Sequence, residues 1–382
     1  MALIKQLFAP PQAAGLPRRS IDFSIRKFDW FLFSACLILA VLGIIACYSV
    51  ALGSGNAADF LTGQKQIIIL IVSLAISLLI AFFVDFRLLA QFSVIFYAVG
   101  ILLLIAVLIF GRSIKGTTGW LYFSGLGFQP VELIKIILII FLAKFFSDRA
   151  KYISQLRYLV LSSLGVVILS LLVLLQPDFG SAIILFAIWA GLLLLVGIKK
   201  SHLLIILGLV IILGTVLWSF IFQDFQRDRI KVFLNPAADT LGRGYNITQA
   251  IIAVGAGGLF GQGLGFGSQS QLKFIPESQT DFIFSVMAEE LGLTGVLIIL
   301  ALILIIMLRL RRIALKTENN FASYLVMGTA ILFFVQSFIN IGMNLGLLPV
   351  TGLPLPFVSA GGSSLASSFI LVGICESVAL RS

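Results

Sequence analysis

This sequence has few charged residues and a single histidine. Only 11% of its 382 residues are charged, while 60% are hydrophobic; an ordinary soluble domain carries about 25% charged residues. So few charges cannot solvate a globular surface, which excludes a water-soluble globule and an intrinsically disordered chain. The net charge of +10 is therefore interpreted as membrane topology, and a nucleic-acid-binding protein is excluded together with the soluble classes.

Residues that bind metals or form disulfides are also scarce. The three cysteines, Cys36, Cys47 and Cys375, lie in apolar runs without metal-ligand spacing, so neither a disulfide framework nor a zinc site is predicted. The one histidine, His202, begins an apolar run and has no evident catalytic or metal-binding partner. The glycine-rich segment 261–267 lacks the strand and helix that surround a nucleotide-binding loop.

Long apolar runs are what the sequence has in abundance. A bilayer core of about 30 Å is crossed by a helix of about 20 apolar residues. This length predicts an all-α polytopic membrane protein with about ten transmembrane helices. The predicted spans are 29–52, 66–84, 88–110, 131–147, 156–176, 180–198, 202–222, 282–308, 321–346 and 364–380.

The basic residues predict the orientation of these spans. When both termini are placed in the cytoplasm, most of the 26 Lys and Arg residues fall on the cytoplasmic side, as the positive-inside rule requires. Residues 1–27 are then a polar cytoplasmic tail, which is too long and too weakly patterned for a signal peptide. Residues 28–382 form a single transmembrane domain.

One large external loop, 223–281, separates spans seven and eight, and its length indicates a function. It contains an apolar stretch, 247–260, that we predict to be a short helix at the membrane interface. Seven glycines lie between Gly255 and Gly267. Because glycine permits backbone angles that other residues avoid, we predict that this run is a hinge for the residues that follow it.

Ionisable residues in or beside the spans are functional candidates, because they are costly inside a membrane. Asp281 is the strongest candidate, since it opens span eight at the outer surface, directly after the segment 273–280. Beside an apolar wall such a carboxylate is suited to act as a general base. The alternative is a helix N-cap, for which Asp is favoured. Glu289, Glu290 and Glu376 are further acids in spans.

Two further motifs contain charged residues with alternative interpretations. Glu132 and Lys135 are three residues apart on one helix face and predict an ion pair, either purely structural or with the cation facing a substrate phosphate. Asp178, in the tight external turn 176–180, is either a turn or cap former or a site residue.

Basic and hydroxyl side chains extend the predicted site. Arg243, with Arg227, Arg229 and Lys231 in the same loop, could form an anionic-ligand site, although each alone is typical of a solvated or headgroup contact. Residues 351–364 form a Gly- and Pro-rich entry to the last span. Irregular backbone at membrane depth lies against protein or a cavity, so Ser363 and Ser364 are predicted to line a cavity.

Taken together, these motifs resemble those of the SEDS family (shape, elongation, division and sporulation), whose members include RodA, FtsW and SpoVE. The matching segments follow the family order along almost the whole chain. They are 119–120, 129–135, 176–181, 244–249, 274–282, 340–343, 352–359 and 361–364. The segments 233–272 and 340–343 resemble the RodA members more than the FtsW members.

The resemblance implies a peptidoglycan glycosyltransferase that polymerises lipid II at the outer face of the bacterial cytoplasmic membrane during cell elongation. It implies that Asp281 is the essential acid, and that Trp120 and the other candidates line the same external cavity. Those other candidates are Glu132, Lys135, Asp178, Ser363 and Ser364. Lys135, Arg243 or a divalent cation (Mg or Mn) would offset the pyrophosphate charge.

The implied partners are a class B penicillin-binding protein, other membrane proteins of the elongation machinery and membrane lipids, with no nucleic acid. Four residues depart from the family pattern, namely Gly119, Val131, Gln279 and Ala360. The alternatives are a lipid II flippase, an FtsW-like division or sporulation polymerase, and a non-catalytic scaffold in which Asp281 is dispensable. A flippase needs access from both faces, whereas the candidates here cluster on the external side.

Overall fold

Long apolar helices account for most of the chain in the computed structural model, which describes residues 27–54, 57–114, 117–123, 126–152, 155–198, 202, 208, 224–236, 239 and 242–382. The helices are α1 (Trp30–Ser54), α2 (Ala57–Phe83), α3 (Phe86–Gln91), α4 (Ser93–Phe110), α5 (Pro130–Arg149), α6 (Leu156–Leu174), α7 (Phe179–Val196), α8 (Asp224–Leu234), α9 (Arg243–Ala256), α10 (Ser268–Gln271), α11 (Ile283–Lys316), α12 (Asn320–Asn344) and α13 (Gly362–Arg381).

Eight of the described helices are long and apolar enough to cross a membrane: α1, α2, α4, α6, α7, α11, α12 and α13. The predicted span 131–147 corresponds to α5, in which charged residues such as Glu132 and Lys135 lower the hydropathy. The predicted span 202–222 lies outside the described residues, apart from single positions. The polytopic helical fold is thus confirmed for the part of the chain that the structure describes.

Helix α5 lies inside the bundle. Thirteen of its 20 residues are buried, and it packs against α4, α6, α7, α12 and α13. A helix that is apolar and buried nearly all round is typical of a bundle centre. Helix α4 differs from α5, because only 22% of its 18 residues are buried. The burial pattern therefore separates helices that face lipid from those that build the core.

A small antiparallel sheet departs from the predicted all-helical fold. Strands β1 (Arg112–Ile114), β2 (Thr117–Phe123) and β3 (Leu126–Phe128) pair in the order β1-β2-β3. Leu121 pairs with Phe128 and Phe123 with Leu126. The sequence of β2, Thr-Thr-Gly-Trp-Leu-Tyr-Phe, is rich in β-branched and aromatic residues, which favour strands.

The start of α1, the end of α13 and the last third of α11 meet in a polar cluster. Arg309 donates from Nε to both carboxylate oxygens of Asp29, at 2.9 and 2.8 Å, and Glu376 accepts from the Asp29 backbone N–H at 2.9 Å. Lys27 Nζ donates to the carbonyl oxygen of Ser382 at 2.8 Å. The first and last described residues therefore lie on the same side of the bundle.

Helix α11 is interrupted at Gly292, which has φ 66° and ψ −164°. At this break the backbone pairs with the segment 257–263. Leu293 N donates to Gly258 O at 2.9 Å, and Gln262 N donates to Glu289 O at 3.0 Å. A short helix was expected over 247–260, and helix α9 confirms it but begins four residues earlier and ends at Ala256. The glycine run after α9 is joined to a transmembrane helix.

Candidate functional site

Asp281 lies in the turn that precedes α11. The helix begins at Ile283 with Phe282 in the cap position, so Asp281 lies outside the helix and is half-buried. The turn closes on Glu277, whose carbonyl oxygen accepts from Thr280 N at 3.1 Å and Phe282 N at 3.2 Å. Of the two interpretations of Asp281, the helix N-cap is wrong, because the cap position is occupied by the next residue.

The loop between α12 and α13 holds this turn in place. Ser359 Oγ donates to Thr280 O at 2.7 Å and accepts from Leu355 N at 2.8 Å. One residue further on, Ala360 N donates to Gln279 O at 2.9 Å. The irregular segment 351–361 therefore supports the turn that carries Asp281.

Gly352 stands beside the Asp281 carboxylate. A Cβ at Gly352 would lie 3.7 Å from Asp281 Oδ2, and the residue has φ +76°, a conformation that glycine adopts without strain. The neighbouring Thr351 carbonyl oxygen accepts from Arg229 Nη1 at 3.4 Å. It also lies 2.9 Å from where a Cβ at Gly180 would be. Residues 351–353 thus form a wall beside the Asp281 carboxylate, and the start of α7 and the middle of α8 lie close to this wall.

Asp178 is the N-cap residue of α7. Its carboxylate accepts from Ser181 N at 2.9 Å and from Ser181 Oγ at 2.7 Å. This is the geometry of an N-cap aspartate, so the cap interpretation is confirmed. Asp178 therefore fixes the start of α7, where Gly180 lies against the 351–353 wall. Its carboxylate is engaged by Ser181.

Glu132 and Lys135 form the predicted ion pair. Lys135 Nζ lies 2.7 Å from Glu132 Oε1, and the two residues are 1% and 6% exposed. Ser367 of α13 donates from Oγ to Glu132 Oε2 at 3.3 Å. The pair is therefore closed on itself between α5 and α13, and the Lys135 ammonium points to its carboxylate partner.

Trp120 lies on the hairpin that precedes α5. It is half-buried in β2, and a Cβ at Gly127 would lie 3.3 Å from its ring. In the same strand, Thr118 N donates to Gln176 O at 3.2 Å. The turn 176–181 therefore lies between the hairpin with Trp120 and the wall beside Asp281, which connects the two groups of candidates.

The two predicted serines differ in their exposure. Ser363 is half-buried, and its Oγ accepts from Gln129 N at 3.0 Å, just before α5 begins. Ser364 is 8% exposed, and its carbonyl oxygen accepts from Ser368 Oγ at 2.8 Å. Ser363 thus joins the start of α5 to the start of α13, while Ser364 is part of the packed helix.

The remaining candidates concern positive charge and metal. Arg243 begins α9, but its side chain lies outside the described residues. Within the part of the chain that the structure describes, no three His, Cys, Asp or Glu side chains come together to hold a metal ion. The described residues therefore do not supply a full set of ligands for a divalent cation, and we derive no step through one.

Two acids of the spans have a role that sequence reasoning missed. The Glu289 carboxylate accepts from Gln269 N at 2.7 Å and Ser270 N at 3.0 Å. Glu290 accepts from Ser49 Oγ at 2.6 Å and Gln271 Nε2 at 3.0 Å. Both acids therefore hold the external loop onto α11, and their only signal in the sequence was an adjacent pair of acids in a span.

Comparison with known proteins gives a consistent set of relatives. The family described as cell cycle protein (FtsW, RodA, SpoVE) matches residues 29–382. The chain is 36% identical over 342 residues to the peptidoglycan glycosyltransferase MrdB of Escherichia coli K12, covering 90% of this chain and 92% of that protein. It is also 36% identical over 365 residues to the probable peptidoglycan glycosyltransferase FtsW of Trichlorobacter lovleyi, covering 92% and 93%.

Solved structures agree with these relatives. A chain from a structure described as showing structural coordination of polymerization and crosslinking by a peptidoglycan synthase complex superposes with a TM-score of 0.79. It is 31% identical, with 92% of this chain and 97% of that chain covered. The rod shape determining protein RodA of Thermus thermophilus superposes with a TM-score of 0.69 at 29% identity, covering 92% and 96%.

Proposed function

This chain belongs to the FtsW, RodA and SpoVE family, and we propose that it polymerises lipid II into glycan strands during cell elongation, with Asp281 as the general base. The protein is a multi-pass membrane protein and a peptidoglycan glycosyltransferase. Relatives of both the MrdB and the FtsW kind are 36% identical to it. Elongation rather than division therefore rests on the RodA-like segments 233–272 and 340–343.

The observation that carries the proposal is the placement of Asp281. It lies outside α11, half-buried, in a turn that is bonded to the 351–361 loop. Its carboxylate lies beside Gly352, which has no side chain to cover it. A carboxylate in such a position is suited to accept a proton from a bound hydroxyl.

The reaction then follows from the chemistry of the two substrates. The 4-hydroxyl oxygen of the acceptor sugar attacks the anomeric carbon of the donor and forms the new C–O bond with inversion. Asp281 takes the hydroxyl proton. The bond from the anomeric carbon to the pyrophosphate oxygen breaks, and the electron pair leaves with the polyprenyl pyrophosphate. Since the donor is already activated, no nucleotide is required.

Positive charge near the site supports departure of the pyrophosphate. The Arg229 guanidinium donates to Thr351 O, the carbonyl next to the glycine that faces Asp281. Arg243 begins the next helix of the same loop. A fixed cation in a site of low dielectric stabilises a developing anion more strongly than it would in water. Lys135 is buried and paired with Glu132 on the same helix, so Arg229 and Arg243 carry this part of the proposal.

We further propose that the protein works with a class B penicillin-binding protein in the cytoplasmic membrane, with both termini in the cytoplasm. The similar structure of a synthase complex, in which polymerization and crosslinking are coordinated, supports the partner. The contact between Lys27 and Ser382 supports termini on one side. Other elongation-machinery membrane proteins and membrane lipids complete the proposed surroundings.

The test of the catalytic proposal is Asp281→Asn, which keeps the shape of the side chain but loses the base. Purified protein is incubated with lipid II, with and without the partner, and the glycan strands are analysed. We expect the rate to fall on the order of 10²–10⁴-fold while thermal stability stays close to that of the wild type.

The matched control is Asp228→Asn, on α8 in the same external loop. Its carboxylate is 53% exposed and pairs with Lys231 at 3.4 Å, so its loss is expected to leave the rate unchanged. A near-normal rate for Asp281→Asn would show that the general-base role is wrong.

A further inference from the structure

Two buried asparagines of α12 contact the backbone of Asp281. Asn340 and Asn344 lie one helical turn apart and are both 0% exposed. Nδ2 of Asn340 donates to the Asp281 carbonyl oxygen at 3.1 Å, and Nδ2 of Asn344 donates to the same oxygen at 3.0 Å. A carbonyl oxygen has two lone pairs, so the two amides together match the acceptor capacity of this one.

The other end of the Asn344 side chain contacts α11. Its Oδ1 accepts from Ser285 N at 3.1 Å and from Ser285 Oγ at 2.7 Å. In a continuing helix, the carbonyl of Asp281 and the N–H of Ser285 would bond each other, because they are four residues apart. The Asn344 amide instead bonds to both of them. It thereby stabilises a helix start that leaves Asp281 in the turn.

Asn340 connects Asp281 to the wall that its carboxylate faces. Its Nδ2 also donates to Leu353 O at 2.8 Å, and Leu353 directly follows Gly352. One side-chain amide therefore bonds to the backbone of the turn and to the backbone of the wall. This sets their separation, and so the space in front of the carboxylate.

We infer that Asn340 and Asn344 are positioning residues, which hold the backbone of Asp281 so that its carboxylate points at the acceptor hydroxyl. The inference rests on the proposed role of Asp281. Neither side chain is exposed, so both act through Asp281 rather than on the substrate. Displacing a reacting group by about 1 Å costs on the order of 10² in rate, so even a small shift of this turn is expected to be measurable.

The principal test is Asn344→Leu, which keeps a similar volume but removes both the donor and the acceptor. We expect kcat per folded molecule to fall about 10- to 100-fold, while KM for lipid II changes less than about threefold. A merely structural role would lower thermal stability and the folded fraction, but not the kcat of the molecules that remain folded.

The matched control is Gln336→Leu on the same helix. Gln336 is 4% exposed, and its Nε2 donates to Pro354 O at 3.0 Å. It therefore holds the same loop through a buried amide but bonds to Pro354, not to Asp281. We expect a loss of stability similar to that of Asn344→Leu but a clearly smaller fall in kcat, because both bonds to the Asp281 carbonyl oxygen stay in place.

A milder variant decides the question if Asn344→Leu fails to fold. Ser285→Ala removes one of the two hydrogen bonds to Asn344 Oδ1, and we expect a severalfold lower kcat with only a small loss of stability. In the Asp281→Asn background, neither change should lower the residual rate further, because residues that act as one unit are not additive.

The outcomes separate this inference from the proposed function. If Asp281→Asn is inactive while Asn344→Leu, or Ser285→Ala in its place, keeps the wild-type kcat, the positioning role is overturned and the general base stands. If Asp281→Asn itself remains active, the general-base role in the proposed function is wrong, and the positioning role that rests on it is wrong as well. An additional loss from Asn344→Leu in the Asp281→Asn background would also overturn the positioning role.

Discussion

At Glu132 and Lys135, two opposite charges lie 2.7 Å apart between α5 and α13, with side chains that are 7% and 1% exposed. Removing one partner from such a pair leaves an uncompensated charge away from water. Replacing both removes the charge altogether, and this is often tolerated by the fold. The two kinds of substitution therefore distinguish the structural contribution of the pair from its contribution to the reaction.

We predict that Lys135→Met alone lowers the free energy of unfolding by about 3–5 kcal/mol. The double variant Glu132→Gln with Lys135→Met should lose clearly less stability, because the amide oxygen that replaces the Glu132 carboxylate could still accept from Ser367. We nevertheless expect the double variant to polymerise lipid II more slowly than the wild type. Thermal unfolding and the polymerisation rate are measured side by side, and full activity in the double variant would reduce the pair to a structural role.

At the scale of elements, the glycine run after α9 joins the external loop to α11. A Cβ at Gly257 would overlap the carbonyl oxygen of Ala288, and one at Gly261 would overlap that of Glu290. Gly292, at the break in α11, would in turn overlap the backbone N of Gly261. Close backbone approach thus explains these glycines, while the hinge that the sequence suggested stays a prediction.

Gly261→Ala tests which role dominates. The residue has φ +80° and no room for a methyl group, so we predict a loss of about 1–3 kcal/mol from backbone strain alone. Gly255→Ala, in α9, is the control, because its Cβ would meet no described atom within 4 Å; it should be neutral or stabilising by up to about 1 kcal/mol. We expect activity to follow thermal stability in both variants. Lost activity at unchanged stability would support the hinge instead.

At the scale of the whole molecule, the two ends of the described chain lie on the same side of the bundle, as the predicted orientation requires. Arg309, Glu376 and Asp29 form one cluster at the end of the bundle where Lys27 meets Ser382. Basic residues are retained on the cytoplasmic side of a membrane. The opposite end carries Asp281, so the proposed cytoplasmic location of the termini predicts that the proposed chemistry lies outside the cell.

Cysteine labelling in intact cells tests this orientation. We predict that Lys231→Cys, at a position where the lysine side chain is 66% exposed, reacts with a membrane-impermeant maleimide. Ser382→Cys should react only after the cells are permeabilised. The native Cys36, Cys47 and Cys375 are buried, so the wild type is the control for background labelling. Labelling of Ser382→Cys in intact cells would place the C-terminus outside.

Much of the fold could be predicted because hydropathy acts locally. A helix crosses the bilayer wherever about 20 apolar residues follow each other, so the spans could be read without knowing which helices touch. The ion pair of Glu132 and Lys135 was predictable for the same reason, since residues three apart share a helix face. The β-hairpin was missed because β2, with seven residues, is a weak signal beside long apolar runs.

What the sequence by itself determined is the membrane class, most of the spans, and motifs whose order along the chain identifies the family. Only the tertiary structure decided what the motif residues do. Asp178 became a helix cap and Asp281 did not, although either local sequence allowed both roles. The Asp281 carbonyl oxygen receives its bonds from residues 59 and 63 positions away. Such contacts arise from the packing of α11 against α12, which no local pattern encodes.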